Sequence, residues 1–179
     1  MRYIYENFLH TEDFDNLVNH VKNKDFAWFV RLGAAQSADE TDKQPAFSHV
    51  MWDTQFGPTS PSFSYAQPIL KRLDVQGVFR IKVNLDLIHG DKTLQPESFH
   101  VDSDIGVDGI WAMVLYLNDC NGATIFEKDN APVKSKANRA IIFPAHMSHS
   151  GCHQTDTPFR YVVNTLFAAK TLPTGGQEF

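Results

Sequence analysis

Apolar and polar positions along this chain follow two different periods, and the change from one to the other falls near Gly77. Before it, Phe14, Leu17, Val18 and Val21 recur at the spacing of one buried helical face, with Thr11 placed to cap the helix. Residues 68–73 read as a second, short helix with Pro68 in its first turn. From Gly77 the period becomes two. Phe79, Ile81, Val83, Leu85 and Leu87 fall on one face and Arg80, Lys82, Asn84 and Asp86 on the other, as in a half-buried strand. Residues 110–117, 123–126, 140–143 and 161–167 are short, apolar and rich in β-formers, so they read as core strands. Asn118-Asp119-Cys120-Asn121-Gly122 and Lys128-Asp129-Asn130-Ala131-Pro132 supply turn chemistry between them. Helices followed by many short strands predict a mainly β domain, a sandwich or small barrel with α-helices supporting one side.

Residues 33–64 break the pattern, being rich in Ser, Thr, Asp, Gln, Gly and Pro while carrying Phe47, Met51, Trp52, Phe56 and Phe63. Such a stretch reads as an ordered loop anchored to the core, or as a lid over a site. A length of 179 residues suits one domain. Within it, 1–76 would form helical and loop support with the possible lid, 77–167 the β core, and 168–179 a flexible tail. A formal net charge of -5 and a pI near 5.8 argue against strong attraction to nucleic acid, which needs clustered Lys and Arg. No apolar run approaches the roughly 18 residues that cross a bilayer, and Met1-Arg2-Tyr3-Ile4-Tyr5-Glu6 lacks the apolar core of a signal peptide. The expectation is a soluble cytoplasmic protein with no membrane partner. Cys120 and Cys152 are too few for a disulfide framework and are expected as reduced thiols. The sequence leaves the oligomeric state open.

Chemistry enters at Phe99-His100-Val101-Asp102. Residues two apart on an extended strand point the same way, so this imidazole and this carboxylate can share one metal ion. The polar Ser103-Asp104-Ile105-Gly106 loop that follows would open onto a cavity. A third ligand must come from elsewhere, and His146, His149 and His153 compete for the place. His149 is favoured because the small Ser150 and Gly151 follow it and let the backbone approach the ion. Two His and one carboxylate on one face of a metal leave the opposite face open, the arrangement of non-haem Fe(II) oxygenases. Arg160 opens the β-rich run Arg160-Tyr161-Val162-Val163-Asn164-Thr165-Leu166-Phe167 and needs an anion if it is buried. That anion is either a carboxylate-bearing cosubstrate or an internal Asp or Glu.

Taken in order, Phe99-His100-Val101-Asp102, Leu115-Tyr116-Leu117-Asn118, Gly122-Ala123-Thr124-Ile125-Phe126, His149-Ser150-Gly151 and Phe159-Arg160-Tyr161 resemble the 2-oxoglutarate- and Fe(II)-dependent oxygenases, above all their prolyl-4-hydroxylase-like branch. The resemblance spans residues 77–167 and implies a double-stranded β-helix (jelly-roll, cupin-like) with its metal at the open end. It implies that His100, Asp102 and His149 hold Fe(II) and that Arg160 clamps the distal carboxylate of 2-oxoglutarate. Tyr116 would hydrogen-bond to that carboxylate. Asn84, in an Arg80-x-x-x-Asn84 pattern, would lie beside the cosubstrate. The implied activity consumes O2 and 2-oxoglutarate, hydroxylates an unactivated C–H bond and releases succinate and CO2. Its substrate would be a prolyl or other peptidyl residue, with a small molecule or free amino acid next. Asp102 favours hydroxylation over halogenation, since relatives with a small residue in its place can bind halide. The family's Gly-Gly-x-Thr-x-Phe reads here as Asn121-Gly122-Ala123-Thr124-Ile125-Phe126, a departure that could alter a turn but removes no ligand. Nucleobase demethylation fits poorly with an acidic chain that has no basic stripe. Two rival readings keep parts of this picture: a cupin-like metal protein independent of 2-oxoglutarate, in which Arg160 is structural, and a non-catalytic jelly-roll that binds a partner at its mouth.

Overall fold

The computed structural model describes residues 1–32, 45–88, 99–104 and 106–179. In chain order the elements are β1 (Tyr3–Tyr5), α1 (Thr11–Val21), β2 (Phe29–Leu32), β3 (Pro45–Asp53), β4 (Gly57–Pro58), a short 3-10 helix (Pro61–Ala66) and α2 (Gln67–Leu73). They continue with β5 (Gly77–Leu87), β6 (Ile110–Tyr116), β7 (Ala123–Phe126), β8 (Pro132–Lys134), β9 (Ala140–Pro144), β10 (His149–Cys152), β11 (Phe159–Ala168) and β12 (Gln177–Glu178). The large sheet runs β12-β1-β9-β6-β11-β5-β3-β2 with β4 paired to β3, and β10-β7-β8 form a small one.

Strand alternation sorts the side chains of the large sheet into two cores. One face turns Ile81, Val83, Met113, Leu115, Ile142, Val163 and Phe167 toward Phe14, Leu17 and Val21 of α1 and Ile69 and Leu73 of α2. The other turns Ala112, Val114, Tyr116, Ile141, Phe143 and Val162 toward Phe126 and Val133 of the small sheet. Two antiparallel sheets closed over one interior, with helices on the back of the larger, make the expected double-stranded β-helix. Helix α1 begins one residue earlier in its cap than the sequence suggests. His10 occupies the cap position, and Thr11 is the first helical residue. Among the described residues no helix is long and apolar enough to cross a membrane.

Two stretches fold differently from expectation. Part of the irregular segment 33–64 is the regular strand β3, antiparallel to β5, with Phe47 opposite Leu85, Ser48 opposite Asn84 and His49 opposite Val83. Phe47, His49 and Met51 alternate with Ser48 and Val50 across its two sides, and each side mixes polar with apolar residues, which hid the period. Residues 33–44, the remaining place for a lid, lie outside the described residues. The tail 168–179, expected to be flexible, is docked. Strand β12 pairs with β1, with Tyr3 opposite Glu178, and the Tyr5 hydroxyl donates to the Pro173 carbonyl at 2.9 Å. The Arg2 guanidinium lies 4.6 Å from the ring centres of both Phe126 and Phe179, stacking the last residue onto the small sheet.

Asn138 clips the N-terminal segment to the turn before β9. It has a left-handed backbone (φ 60°), its Oδ1 accepts from the Leu9 N–H at 2.8 Å, and its Nδ2 donates to the Leu9 carbonyl at 2.8 Å. The site is buried, so both backbone groups of Leu9 lose their partners in Asn138→Ala. We expect that variant to lose about 2–4 kcal/mol in urea unfolding. A loss below about 1 kcal/mol would show that water replaces the clip.

Candidate metal and anion site

His100 and His149 are brought together by the backbone. Each donates its N–H to the other's carbonyl at 2.9 Å, an isolated antiparallel bridge that seats His100 against the first residue of β10. Their rings stand 4.6 Å apart, centre to centre. The sequence places Asp102 on the same strand as His100, but the extended pairing ends at His100, and Asp102 sits in a bend. Its position comes instead from its own N–H, which donates to the Ala145 carbonyl at 3.0 Å. The result is the same convergence: Asp102 Oδ2 is 3.6 Å from His149 Nε2, with both side chains almost fully buried.

Hydrogen bonds orient His149 and Asp102. His149 Nδ1 lies 3.0 Å from the Met147 carbonyl and donates its proton there, which leaves the Nε2 lone pair facing Asp102. Burial pushes the His149 pKa below the ordinary imidazole value; Asp102 works against that shift and His100 with it. Asp102 Oδ1 accepts from Arg80 Nη2 at 2.7 Å, so one carboxylate oxygen is committed to a guanidinium and the other faces the imidazoles. Among the described residues no group of three His, Cys, Asp or Glu side chains already stands in closed ligand geometry. His146, in contrast, is exposed in the turn after β9, and His153 lies beyond the end of β10.

Arg160 is buried, only 3% exposed, on the interior side of β11 together with Val162 and Asn164. Its Nη1 is 2.5 Å from Oδ2 of Asp86, its direct cross-strand neighbour on β5. Its Nη2 donates to the Ala123 carbonyl at 3.3 Å, and its Nε is buried with no hydrogen-bond partner among the described residues. Burial works against the charge, but Asp86, Tyr116 and Cys120 outweigh it and hold the Arg160 pKa above its ordinary value. Of the two anions that the sequence allows for Arg160, the internal one is therefore present, and it is Asp86. Sequence reasoning placed Asp86 on the polar side of β5, but the pair is visible only once the register of β5 against β11 is known.

Tyr116 meets Arg160 through its ring, whose centre lies 5.6 Å from the guanidinium carbon. Its hydroxyl is 2.9 Å from Thr124 Oγ1 and 3.0 Å from the Val133 carbonyl, so it is engaged inside the small sheet rather than pointing a free donor at the interior. Burial raises the Tyr116 pKa and keeps it a phenol. Asn84 stands on the interior side of β5, between Ser48 on β3 and Val162 on β11. Arg80, paired with it in the sequence pattern, serves Asp102 instead. The departure at Asn121 also finds a role. Its side chain exchanges hydrogen bonds of 2.9 Å with Thr155, tying the start of β7 to the turn before β11. Next to it Gly122 is obligatory, since a Cβ there would fall 2.8 Å from Arg160 Cδ and 3.0 Å from the Cys152 carbonyl oxygen.

The residues present fit an octahedral dication with a dicarboxylate cosubstrate. Two imidazoles and a carboxylate are the donor set of a facial site with open positions. The Nε of Arg160, buried with no partner among the described residues, is a charge-assisted donor suited to a carboxylate.

No protein-family model and no curated protein matches the sequence. Solved structures share the fold. A 2OG-Fe(II) oxygenase family oxidoreductase from Burkholderia pseudomallei aligns with a TM-score of 0.68 at 10% identity, over 96% of this chain and 87% of its own. A prolyl hydroxylase from Trichoplax adhaerens, in complex with a hypoxia inducible factor peptide fragment, aligns with a TM-score of 0.65 at 15% identity, over 93% of this chain and 83% of its own. The epimerase SnoN, in complex with Fe3+, alpha ketoglutarate and nogalamycin RO, aligns with a TM-score of 0.58 at 13% identity, over 97% of this chain and 82% of its own. At such identities the likeness establishes the double-stranded β-helix, and the chemistry must be argued from the site.

Proposed function

We propose that this chain is an Fe(II)- and 2-oxoglutarate-dependent oxygenase that hydroxylates a peptidyl residue, prolyl above all. The observation that carries the reading is the pairing of His100 with His149 beside Asp102, in the same barrel that buries an arginine with an unsatisfied donor. His100, Asp102 and His149 would hold Fe(II), and Arg160 would receive the distal carboxylate of 2-oxoglutarate through its Nε edge. Bound there, iron, 2-oxoglutarate and O2 supply an oxidative decarboxylation in which one oxygen atom enters the substrate C–H bond and the other enters succinate, with CO2 released.

The chain's own residues do the positioning. Met147 fixes the His149 tautomer, so that a neutral Nε2 is presented. Arg80 occupies Asp102 Oδ1 and directs the ligand role to Oδ2. Phe143 and Phe126 pack beside His149, with ring centres at 4.6 and 6.3 Å, and keep water off the imidazole. Asn84 faces the same interior and would contact the cosubstrate. A peptide is favoured as substrate because the sequence motifs fall in the prolyl-hydroxylase-like branch and a peptide-bound prolyl hydroxylase shares the fold. The fold also carries a small-molecule enzyme in SnoN, which makes a small-molecule substrate the second reading.

Anaerobic titration of the purified protein with Fe(II) and 2-oxoglutarate is expected to produce the weak visible absorption of a chelated 2-oxo acid. Its absence from the wild-type protein would remove the cosubstrate from the reading and leave a metal protein of another kind. Mass spectrometry of candidate prolyl peptides for the gain of one oxygen atom, matched to succinate formed, then separates peptide from small-molecule substrates.

A further inference from the structure

We infer that Asp86 is a built-in competitor for the cosubstrate carboxylate, a specificity-determining residue that weakens the preference of the pocket for a charged 2-oxo acid. The inference rests on the cosubstrate reading given above.

Asp86 and Arg160 are opposite each other in the register of β5 against β11, so the sheet, and not a flexible side chain, sets their approach. The contact of 2.5 Å is made by one guanidinium nitrogen, Nη1. The Asp86 backbone is fixed in turn, because its carbonyl accepts from Gln154 Nε2 at 3.0 Å, and Gln154 is fully buried. The guanidinium is thus oriented, and it is electrically neutralised before any ligand arrives.

Its Nε is the donor left over. A distal carboxylate arriving there meets a pair of net charge zero rather than a lone cation. The completed cluster holds two carboxylates and one guanidinium in a buried setting, where charges are poorly screened. Repulsion from Asp86 then offsets part of the attraction to Arg160, and a 2-oxo acid with an uncharged tail pays no such penalty.

Asp86→Asn keeps the shape and an oxygen for Arg160 while removing the charge. Dissociation constants for 2-oxoglutarate and for 2-oxopentanoate, measured anaerobically by the chelation band with Fe(II), should separate the roles. In Asp86→Asn the 2-oxoglutarate constant is expected to fall about tenfold, equivalent to about 1.4 kcal/mol. The 2-oxopentanoate constant should change less than about twofold, and kcat should hold while KM for 2-oxoglutarate falls. An unchanged or weakened affinity for 2-oxoglutarate, in a variant whose melting temperature shows it folded, overturns the inference and makes Asp86 a plain support for Arg160. A wild-type measurement keeps the test decisive if the variant does not fold. The wild-type preference for 2-oxoglutarate over 2-oxopentanoate should lie below about a hundredfold, because an unopposed bidentate charged contact would give about a thousandfold or more, which would also overturn it. Failure of the wild-type protein to bind either acid would instead sink the cosubstrate reading itself.

Discussion

His149→Ala is expected to abolish Fe(II)-dependent succinate formation and to weaken divalent metal binding by far more than the roughly 10–100-fold that losing an outer-shell partner costs. The size of the effect follows from what the substitution removes. His149 presents a neutral, tautomer-fixed Nε2 toward Asp102, and both residues are almost fully buried. No other described histidine has that placement. His146 is exposed in a turn, and His153 lies past the end of β10. Their alanine variants should therefore retain most activity. His100→Ala and Asp102→Ala should match His149→Ala, with Asp102→Ala also leaving Arg80 without its carboxylate. Mn(II) binding followed by electron paramagnetic resonance reads the ligand set without requiring turnover. Tight Mn(II) binding in His149→Ala, or its loss in His146→Ala, would assign the third ligand elsewhere.

Much of this arrangement was legible in the chain, and where it was not the reason is long-range pairing. The period of two from Gly77 separated the sides of β5, because Ile81 and Val83 pack with the helices while Arg80, Asn84 and Asp86 lie on the opposite side. His149, favoured in the sequence for the small residues after it, is the one of the three histidines whose backbone pairs with His100. Asp102 was placed for a reason that proves secondary, since a hydrogen bond to Ala145, rather than strand geometry, holds it. Strand β3 escaped notice because Ser48 on one side and His49 on the other break the apolar alternation that marks a strand. The docked tail depends on Tyr3 meeting Glu178, a pairing between the two ends of the chain that no local pattern announces. Asp86 as the partner of Arg160 and Arg80 as the partner of Asp102 both required cross-strand register, which the spacing of residues within one strand does not contain.

Arg160→Ala is expected to raise the 2-oxoglutarate dissociation constant by about a hundredfold or more while leaving Mn(II) affinity within a few-fold of wild type. The guanidinium is a buried cation, and under the proposed function it meets the distal carboxylate, so its loss would remove a charge-assisted contact and leave the incoming anion facing Asp86. The single variant carries a second cost, however. The Asp86 side chain is 17% exposed, and without Arg160 it becomes a mostly buried carboxylate with no guanidinium, a change that typically destabilises by about 3–5 kcal/mol. Stability and affinity would then fall together and could be confused. The double variant Arg160→Ala with Asp86→Asn separates them. Removing both charges should restore most of the lost melting temperature and return about tenfold of the affinity, while the remaining deficit persists because the Arg160 guanidinium is no longer there to meet the carboxylate. Gly122→Ala offers an independent route to the same place. Its Cβ would press on Arg160 Cδ and on the Cys152 carbonyl, so it should weaken 2-oxoglutarate binding without touching the metal ligands. If Arg160→Ala binds 2-oxoglutarate as wild type does, the guanidinium is only the counterion of Asp86, and the distal carboxylate must be sought by another donor of the interior.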